Sequence, residues 1–196
     1  MKTIYFATSN KGKVKNAKKA LKNFGFSVKQ ISIELAESRA EDPAEIALEK
    51  ARQAFAKLKH PVMVEDSGFF IKTLGGFPMT HIKFSLKTLG IKNILAMLKN
   101  KKDRRAEWRM TVAYVWDKNK FKTFTFIETG KIALRPRPIK RPMMSDYWRL
   151  YIPTMLGGKK ALSEMTDQDL IDWQKFYSEH NHFMMLGEWL KKTKEQ

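Results

Sequence analysis

Two adjacent carboxylates, Glu65 and Asp66, are the residues of this sequence best placed to do chemistry. They follow an apolar run at residues 61–64 that is typical of the end of a buried strand, and Ser67 and Gly68 come directly after them. Such a group suits a divalent cation and the phosphates that it carries. Because neighbouring side chains of a strand point to opposite faces, we expect Glu65 and Asp66 to do different jobs. A simple turn at the strand end is the alternative interpretation.

A polar stretch near the start of the chain has the composition of a phosphate-binding loop. Residues 2–7 predict a first strand, and apolar residues recur at helical spacing over residues 14–24. The stretch between them consists of Thr8, Ser9, Asn10, Lys11, Gly12 and Lys13. The N–H groups of such a loop and of the following helix start face an anion together, and Lys13 adds a charge. The spacing is not that of a Walker loop, and a plain helix cap is the alternative.

Acidic residues collect before the next predicted helix, which we place at residues 44–59 with Pro43 in its first turn. They are Glu34, Glu37, Glu41, Asp42 and Glu45. Carboxylates in the first turn complement the helix dipole, which accounts for Asp42 and Glu45 without a metal. Glu41 lies just outside that turn and is the better candidate for a metal ligand.

The remaining pattern predicts further strands and helices in alternation. Asp117-Lys118-Asn119 indicates a hairpin between strands at residues 106–116 and 120–127. Another strand is predicted at residues 129–134, and helices at residues 80–89, 91–98, 170–176 and 180–190. His180 and His182 are weak metal-ligand candidates, because two histidines alone do not make up a ligand set.

The chain is strongly basic, with 38 Lys and Arg against 20 Asp and Glu and a net charge of +18. Such a charge attracts nucleotides, nucleic acid or anionic lipid surfaces. Residues 118–160 hold eleven basic and two acidic residues, and they include a proline-punctuated loop at residues 135–141. Tyr147 and Trp148 fall in the same region and could stack on bases, or they could be core residues. A lysine-rich solvated surface is the alternative explanation of the charge.

Length and composition favour one globular protein of the cytoplasm. A chain of 196 residues with 43% hydrophobic residues can form a full core, and we expect a single domain, 1–196, or one domain with an added lobe. No apolar run approaches the length of a membrane span, and no secretory signal opens the chain. The absence of cysteine excludes disulfides, thiolate zinc sites and a cysteine nucleophile.

Several stretches together resemble one known family, the inosine triphosphate pyrophosphatases, also described as Ham1-like pyrophosphatases of non-standard purine nucleoside triphosphates. The resemblance covers most of the chain and is most specific in its first half. The matching stretches are Phe6-Ala7-Thr8-Ser9-Asn10-Lys11-Gly12-Lys13, residues 41–51, Val64-Glu65-Asp66-Ser67-Gly68-Phe69-Phe70, Leu74-Gly75-Gly76-Phe77-Pro78, Ile152-Pro153 and Leu162-Ser163-Glu164-Met165-Thr166.

The resemblance implies a fold and an activity. The fold would be α/β, with an elongated mixed β-sheet flanked by helices and two lobes around a central nucleotide cleft. The activity would be Mg²⁺-dependent hydrolysis of ITP, XTP and their deoxy forms to monophosphate and pyrophosphate, performed by a homodimer. The reaction needs a metal that stabilises phosphate charge and a carboxylate that orients water.

Position in the family motifs also implies roles for particular residues. Thr8, Ser9, Asn10 and Lys13, in the loop that also contains Lys11 and Gly12, resemble the triphosphate-binding loop. Glu41 resembles a metal ligand, with Asp42 as an alternative by a shift of one position. Asp66 resembles the residue that binds the metal and activates the attacking water, and Ser67 resembles a substrate contact.

The second half departs from the family pattern. Trp148 stands where the family has an aspartate that reads the base, and Met79 replaces a usual glycine. The lysine and the histidine–arginine pair that members carry near the end are not found at their places. Two alternatives to the leading prediction follow. One is an altered or inactive member that binds nucleic acid through its basic face, and the other is a pyrophosphatase for a modified nucleotide stacked on Tyr147 or Trp148.

Overall fold

The computed structural model describes residues 2–36 and 39–193, so Glu37 of the acidic cluster lies outside the described residues. Strands and helices alternate over residues 2–71, and further along the chain elements of the same kind follow one another. The strands are β1 (Lys2–Ala7), β2 (Phe26–Ile31), β3 (Val62–Ile71), β4 (Pro78–Met79), β5 (Arg105–Asp117), β6 (Lys120–Ile132) and β7 (Tyr151–Pro153). The helices are α1 (Lys11–Lys22), α2 (Pro43–Leu58), α3 (Ile82–Thr88), α4 (Gly90–Met97), α5 (Asp167–Glu179) and α6 (His182–Lys192).

The strands form one mixed sheet in the order β2-β1-β3-β5-β6-β7, and β4 pairs with β3. β1 is parallel to both β2 and β3, whereas β4 is antiparallel to β3 and β7 is antiparallel to β6. β5 and β6 are sheet neighbours joined by two residues, which confirms the predicted hairpin. The predicted mixed α/β fold with helices beside the sheet is confirmed.

The strand that carries the two carboxylates does not end where the sequence pattern predicted. β3 continues through Glu65, Asp66, Ser67 and Gly68 to Ile71. The predicted strand end was wrong, and so was the alternative of a turn, because the segment on both sides of these residues is buried, and extended pairing satisfies its backbone groups. The carboxylates therefore lie within a strand, where their side chains alternate between the faces of the sheet.

β6 also runs further than predicted, because the expected break between the strands at residues 120–127 and 129–134 does not occur. A Cβ atom at Gly130 would lie 2.5 Å from the carbonyl oxygen of Ile152 and 2.6 Å from the ring of Tyr151. The glycine therefore permits the close approach of β7 within the sheet, and it does not mark a turn.

The chain divides into two compact units, each with its own core. The first unit comprises Met1–Ser67, Met110–Phe126 and Phe176–Gln196, and the second comprises Gly68–Arg109 and Ile127–Lys175. In the first unit, Phe6 and Met63 pack in a core with residues of α1 and α6. The next residues along the same strands, such as Ala7 and Val64, pack in a separate core with residues of α2.

In the second unit, residues of β3, α4 and β6 pack around aromatic rings. The rings of Trp108, Tyr147 and Tyr151 surround Phe69, with centroids 4.6–5.5 Å from its ring. No helix in the described part of the chain is long and apolar enough to cross a lipid bilayer.

Glu128 of β6 is a buried carboxyl in the second unit. Its Oε1 atom accepts a hydrogen bond of 2.8 Å from the indole N–H of Trp173. Burial raises the pKa of Glu128 to about 7, and the Trp173 hydrogen bond acts in the opposite direction. The folded chain therefore holds a proton at Glu128 over a pH range in which the unfolded chain has released it.

We expect Glu128→Gln to remove a pH-dependent loss of stability. A carboxyl with a raised pKa stabilises the fold least at high pH, so the parent should lose about 3 kcal/mol of unfolding free energy as pH rises from about 4.5 to above 7. The glutamine oxygen can still accept the Trp173 bond. Urea unfolding at pH 5 and pH 8 measures the unfolding free energy. Relative to the parent, the variant should be more stable at pH 8 than it is at pH 5.

Trp173→Phe provides the matched control, because it removes the donor that lowers the Glu128 pKa. It should make the loss of stability at high pH larger. A Glu128→Gln variant whose difference from the parent is the same at both pH values would contradict the assignment.

Candidate active site

The loop before α1 is shaped by its own side chains. Asn10 caps the helix, and its Oδ1 atom accepts hydrogen bonds from the N–H groups of Gly12 and Lys13 at 2.9 and 3.2 Å. The hydroxyl of Thr8 accepts a bond of 3.1 Å from the N–H of Asn10. The strand, loop and helix lie in the predicted order, and Ser9 and Lys11 are exposed. The amides of Gly12 and Lys13 are thus engaged by Asn10, as the helix-cap alternative expected.

Lys13 joins this loop to the central strand. Its Nζ atom lies 2.8 Å from Oε2 of Glu65, and it also donates to the Glu65 carbonyl oxygen at 3.2 Å. The Glu65 side chain is only 4% exposed. Burial raises the pKa of this carboxyl, and the Lys13 ammonium acts against that change. The pair anchors Lys13 of the loop to β3, at the residue that precedes Asp66.

Asp66 is held by α2 and by its own strand. Its Oδ2 atom lies 3.1 Å from Nζ of Lys50, and its Oδ1 atom accepts a bond of 2.8 Å from the N–H of Ser67. Its side chain is 22% exposed, so solvent and small solutes can reach the carboxylate. Its position is therefore fixed while part of its surface stays open.

The two carboxylates act on opposite faces of the sheet. Glu65 has the strand parity of Met63, which packs towards α1, and Asp66 has the parity of Val64, which packs towards α2. The ion pairs agree with this arrangement, since Lys13 belongs to α1 and Lys50 belongs to α2. The expectation that the two carboxylates do different jobs follows from this alternation.

The sequence pattern assigned no role to Lys50, and it did not identify Lys13 as the partner of Glu65. Lys50 lies four residues after Ile46 and one before Ala51, on a helix whose buried residues include both. A lysine beside an apolar stripe indicates a buried charge that needs a partner, and this signal could have identified it. The Glu65 pair could not be found in this way because its members are 52 residues apart.

The structure gives Asp42 a structural job. Asp42 caps α2, and its Oδ1 atom accepts a bond of 2.8 Å from the N–H of Ala44. Glu41 precedes the cap and is exposed. Within residues 2–36 and 39–193, no three acidic, histidine or cysteine side chains converge as a metal cluster. The metal role of Glu41 remains a prediction.

His182 lies at the start of α6, directly after the capping residue Asn181. It is buried, and neither ring nitrogen has a hydrogen-bond partner among the described residues. Burial lowers its pKa to about 3, and the charge of Lys13 contributes. The imidazole is therefore neutral at ordinary pH. His180 is separately engaged, because its ring stacks on Phe176.

The two aromatic candidates belong to the second unit and differ in exposure. Tyr147 is fully buried, and its hydroxyl is 2.9 Å from that of Ser85. Burial raises the Tyr147 pKa to about 12. Trp148 is partly buried and packs against the same core. Tyr147 thus matches the core alternative, and Trp148 keeps some surface for a ligand.

Comparison with known proteins agrees with the motifs. The model of the Ham1 family matches residues 4–170. A dITP/XTP pyrophosphatase of Thermococcus kodakarensis is 36% identical over 166 residues, which are 85% of this chain and 86% of that protein. A dITP/XTP pyrophosphatase of Hyperthermus butylicus is 33% identical over 171 residues, which are 86% of this chain and 85% of that protein.

Solved structures are similar in fold. The Ham1 protein of Staphylococcus aureus matches with a TM-score of 0.77 and 20% identity, and the match covers 98% of this chain and all of that one. At this identity the likeness shows the fold alone. The family match extends over most of the chain and includes the α1 loop and the carboxylates of β3. The chain belongs to the Ham1 family.

Proposed function

We propose that this protein is a nucleoside triphosphate pyrophosphatase that hydrolyses dITP and XTP to the monophosphate and pyrophosphate. The proposal rests on the Asp66 carboxylate, which is partly exposed and is held by Lys50. The preceding residue, Glu65, forms an ion pair with Lys13 of the α1 loop. The two relatives described above are named for the same reaction and span most of the chain. The hydrolysed bond lies between the α- and β-phosphates.

The side chains of this site divide the chemistry between them. The Asp66 carboxylate orients the attacking water and accepts its proton as the new bond to the α-phosphorus forms. The bond to the β-phosphate oxygen breaks at the same centre, and pyrophosphate leaves. Lys13, with Thr8 and Ser9 of the same loop, binds the negatively charged phosphates of the substrate. Lys50 keeps the Asp66 carboxylate in one orientation. Ser67, the next residue of the strand, contacts the substrate.

We also propose that Mg²⁺ is the cofactor, held by Asp66 and Glu41. The donors fit this ion, because both are carboxylates and Mg²⁺ takes oxygen ligands. A closed protein cage is not required, since Mg²⁺ is commonly held by one or two carboxylates and by the phosphates of the substrate. When bound, the ion would neutralise charge that develops on phosphate oxygens.

A pyrophosphate-release screen tests the function and the cofactor together. We expect turnover of dITP and XTP above that of dATP and dGTP in Mg²⁺. Addition of EDTA should reduce it by about 100-fold or more, and excess Mg²⁺ should restore it. Equal turnover with and without chelator would contradict the proposed metal requirement. The absence of turnover with every purine triphosphate would contradict the proposed activity.

Trp148 is proposed to contact the base. We expect Trp148→Ala to change the ranking of dITP, XTP and dATP by about 10-fold in kcat/KM while the turnover of the best substrate changes less, because stacking of one base contributes about 1–3 kcal/mol. Steady-state kinetics with the three substrates measures this. A uniform fall for all three would place Trp148 in a structural role.

We further propose that the protein is a cytoplasmic homodimer, and that each chain forms a single domain with two lobes. The proposal rests on the resemblance to the family and on the two compact units of the chain. Sedimentation velocity measures the oligomeric state directly.

A further inference from the structure

The second unit contains two adjoining cavities that none of the proposed catalytic residues line. One, of about 840 Å³, lies between the start of β5, the end of β6 and the residues that follow β7. The other, of about 550 Å³, lies beside α4 and the connection to β5. Both are lined by Lys102, Arg104 and Leu134, so they form one groove, here called the basic groove.

The charged residues that line the basic groove are almost all cationic. The larger cavity has one carboxylate, Asp103, and Arg105 engages both of its oxygens at 2.9 and 2.7 Å. That contact lowers the Asp103 pKa below its usual range. The other charged residues of this cavity are Lys102, Arg104, Lys131, Arg135, Arg137 and Lys159.

Arg104 places a positive charge at a fixed position in the lining of the groove. Its guanidinium donates to the carbonyl oxygens of Ile132, Ala133 and Leu98 at 2.8, 2.7 and 3.1 Å. These neutral acceptors hold the group but do not cancel its charge. Among the residues that the structure describes, no carboxylate forms an ion pair with Arg104.

Four further cations of the groove lack an ion pair within the described part of the chain. They are Lys102, Lys131, Arg135 and Lys159. Uncompensated charges held close together repel one another, which is unfavourable in the absence of a bound anion. Lys92, Lys99 and Lys101 line the smaller cavity, so positive charge extends over both joined cavities and suits a chain of phosphates better than a single one.

We propose that the basic groove binds the sugar–phosphate backbone of a nucleic acid. No aromatic ring lines either cavity, so the groove offers charge and no stacking surface for unpaired bases. Contacts of this kind read the backbone of a duplex without regard to sequence. A second copy of this chain is a poor occupant, because it also carries a net charge of +18.

Fluorescence anisotropy with a labelled duplex of about 20 base pairs tests the proposal across about 50 to 200 mM salt. The groove variant carries Lys102→Gln, Lys131→Gln, Arg135→Gln and Lys159→Gln. A matched variant removes four charges from the exposed face of α1 through Lys15→Gln, Lys18→Gln, Lys19→Gln and Lys22→Gln. DNA and RNA duplexes are compared, and a peptide nucleic acid duplex of the same sequence supplies an uncharged backbone.

We expect the parent to bind both phosphate duplexes and not the uncharged one. The groove variant should bind at least about 10-fold more weakly, with a salt slope lower by roughly one for each cation that contacts a phosphate. The α1 variant should retain most of the affinity. Pyrophosphate release by the groove variant should equal that of the parent, so a failure here is distinguishable from a failure of the proposed catalysis.

Three outcomes would overturn the proposal. The first is an equal loss of affinity in both variants, which would assign binding to net charge alone. The second is binding of the uncharged duplex. The third is a parent that binds inorganic polyphosphate but neither duplex, since the occupant would then be a free phosphate chain.

Discussion

Replacing Asp66 by Asn is expected to lower the rate of pyrophosphate release from dITP by about 10² to 10⁴-fold. The amide cannot accept the proton of the attacking water, and it is a weaker ligand for a divalent cation. Because the side chain keeps its shape, Oδ1 can still accept the bond from Ser67. The lost ion pair with Lys50 should cost about 1 kcal/mol of unfolding free energy or less, so the variant remains folded. Continuous detection of pyrophosphate measures the rate.

Asp42→Asn is the matched control for this variant. It is the same chemical change at a residue that caps α2, and asparagine caps helices as well as aspartate does. It should therefore leave both the melting temperature and the turnover close to those of the parent. Full activity in Asp66→Asn would remove Asp66 from the mechanism. A comparable loss in Asp42→Asn would point to Asp42, the alternative metal ligand by sequence position.

Helices and short strands were predictable because their signals are local. The helix predicted at residues 44–59 is observed as Pro43–Leu58, with Asp42 as its cap and Pro43 in its first turn. α3 ends at Thr88 and α4 begins at Gly90, so the break lies at Leu89, one residue before the break that the pattern indicated between residues 89 and 91. Side-chain period and capping chemistry act over one or two turns, so the sequence alone carries them.

The continuity of β3 and β6 was not predictable in the same way. Gly68 belonged to the possible turn and Gly130 to a separate predicted strand, but each lies where another group approaches the backbone too closely for a side chain. A Cβ atom at Gly68 would lie 2.7 Å from the ring of Phe70 and 3.1 Å from the carbonyl oxygen of Met79. Each glycine is needed because of a contact that forms only in the folded chain, and the local sequence pattern does not indicate that contact.

The candidate site was predictable in part for a related reason. The loop at residues 8–13 and the pair Glu65–Asp66 were recognisable from residue types and motif order. Strand alternation also implied that the two carboxylates face different helices. Which lysine each one meets depends on the pairing of β1 with β3 and on where α1 and α2 lie beside those strands. The partner of each carboxylate is therefore known only from the folded structure.

Replacing Lys13 by Met is expected to damage both stability and catalysis. It leaves the Glu65 carboxylate, which is nearly fully buried, without its cation, and this should cost about 2 kcal/mol of unfolding free energy. Loss of one charge-assisted bond to phosphate should lower kcat/KM for dITP by about 10- to 100-fold. Urea unfolding and steady-state kinetics measure the two effects. The stability deficit should be smaller at pH 5 than at pH 8, because protonation of Glu65 removes its unpaired charge.

The double variant Lys13→Met with Glu65→Gln separates these two roles of the lysine. It replaces the buried charge by a neutral group of similar shape, so most of the lost stability should return. Activity should stay low, because no cation has been restored to the phosphate loop. Recovery of kcat/KM in the double variant would mean that Lys13 acts only through the fold. A Lys13→Met variant as stable as its parent would mean that the Lys13–Glu65 contact contributes nothing to folding, and the loop would then need another anchor to β3.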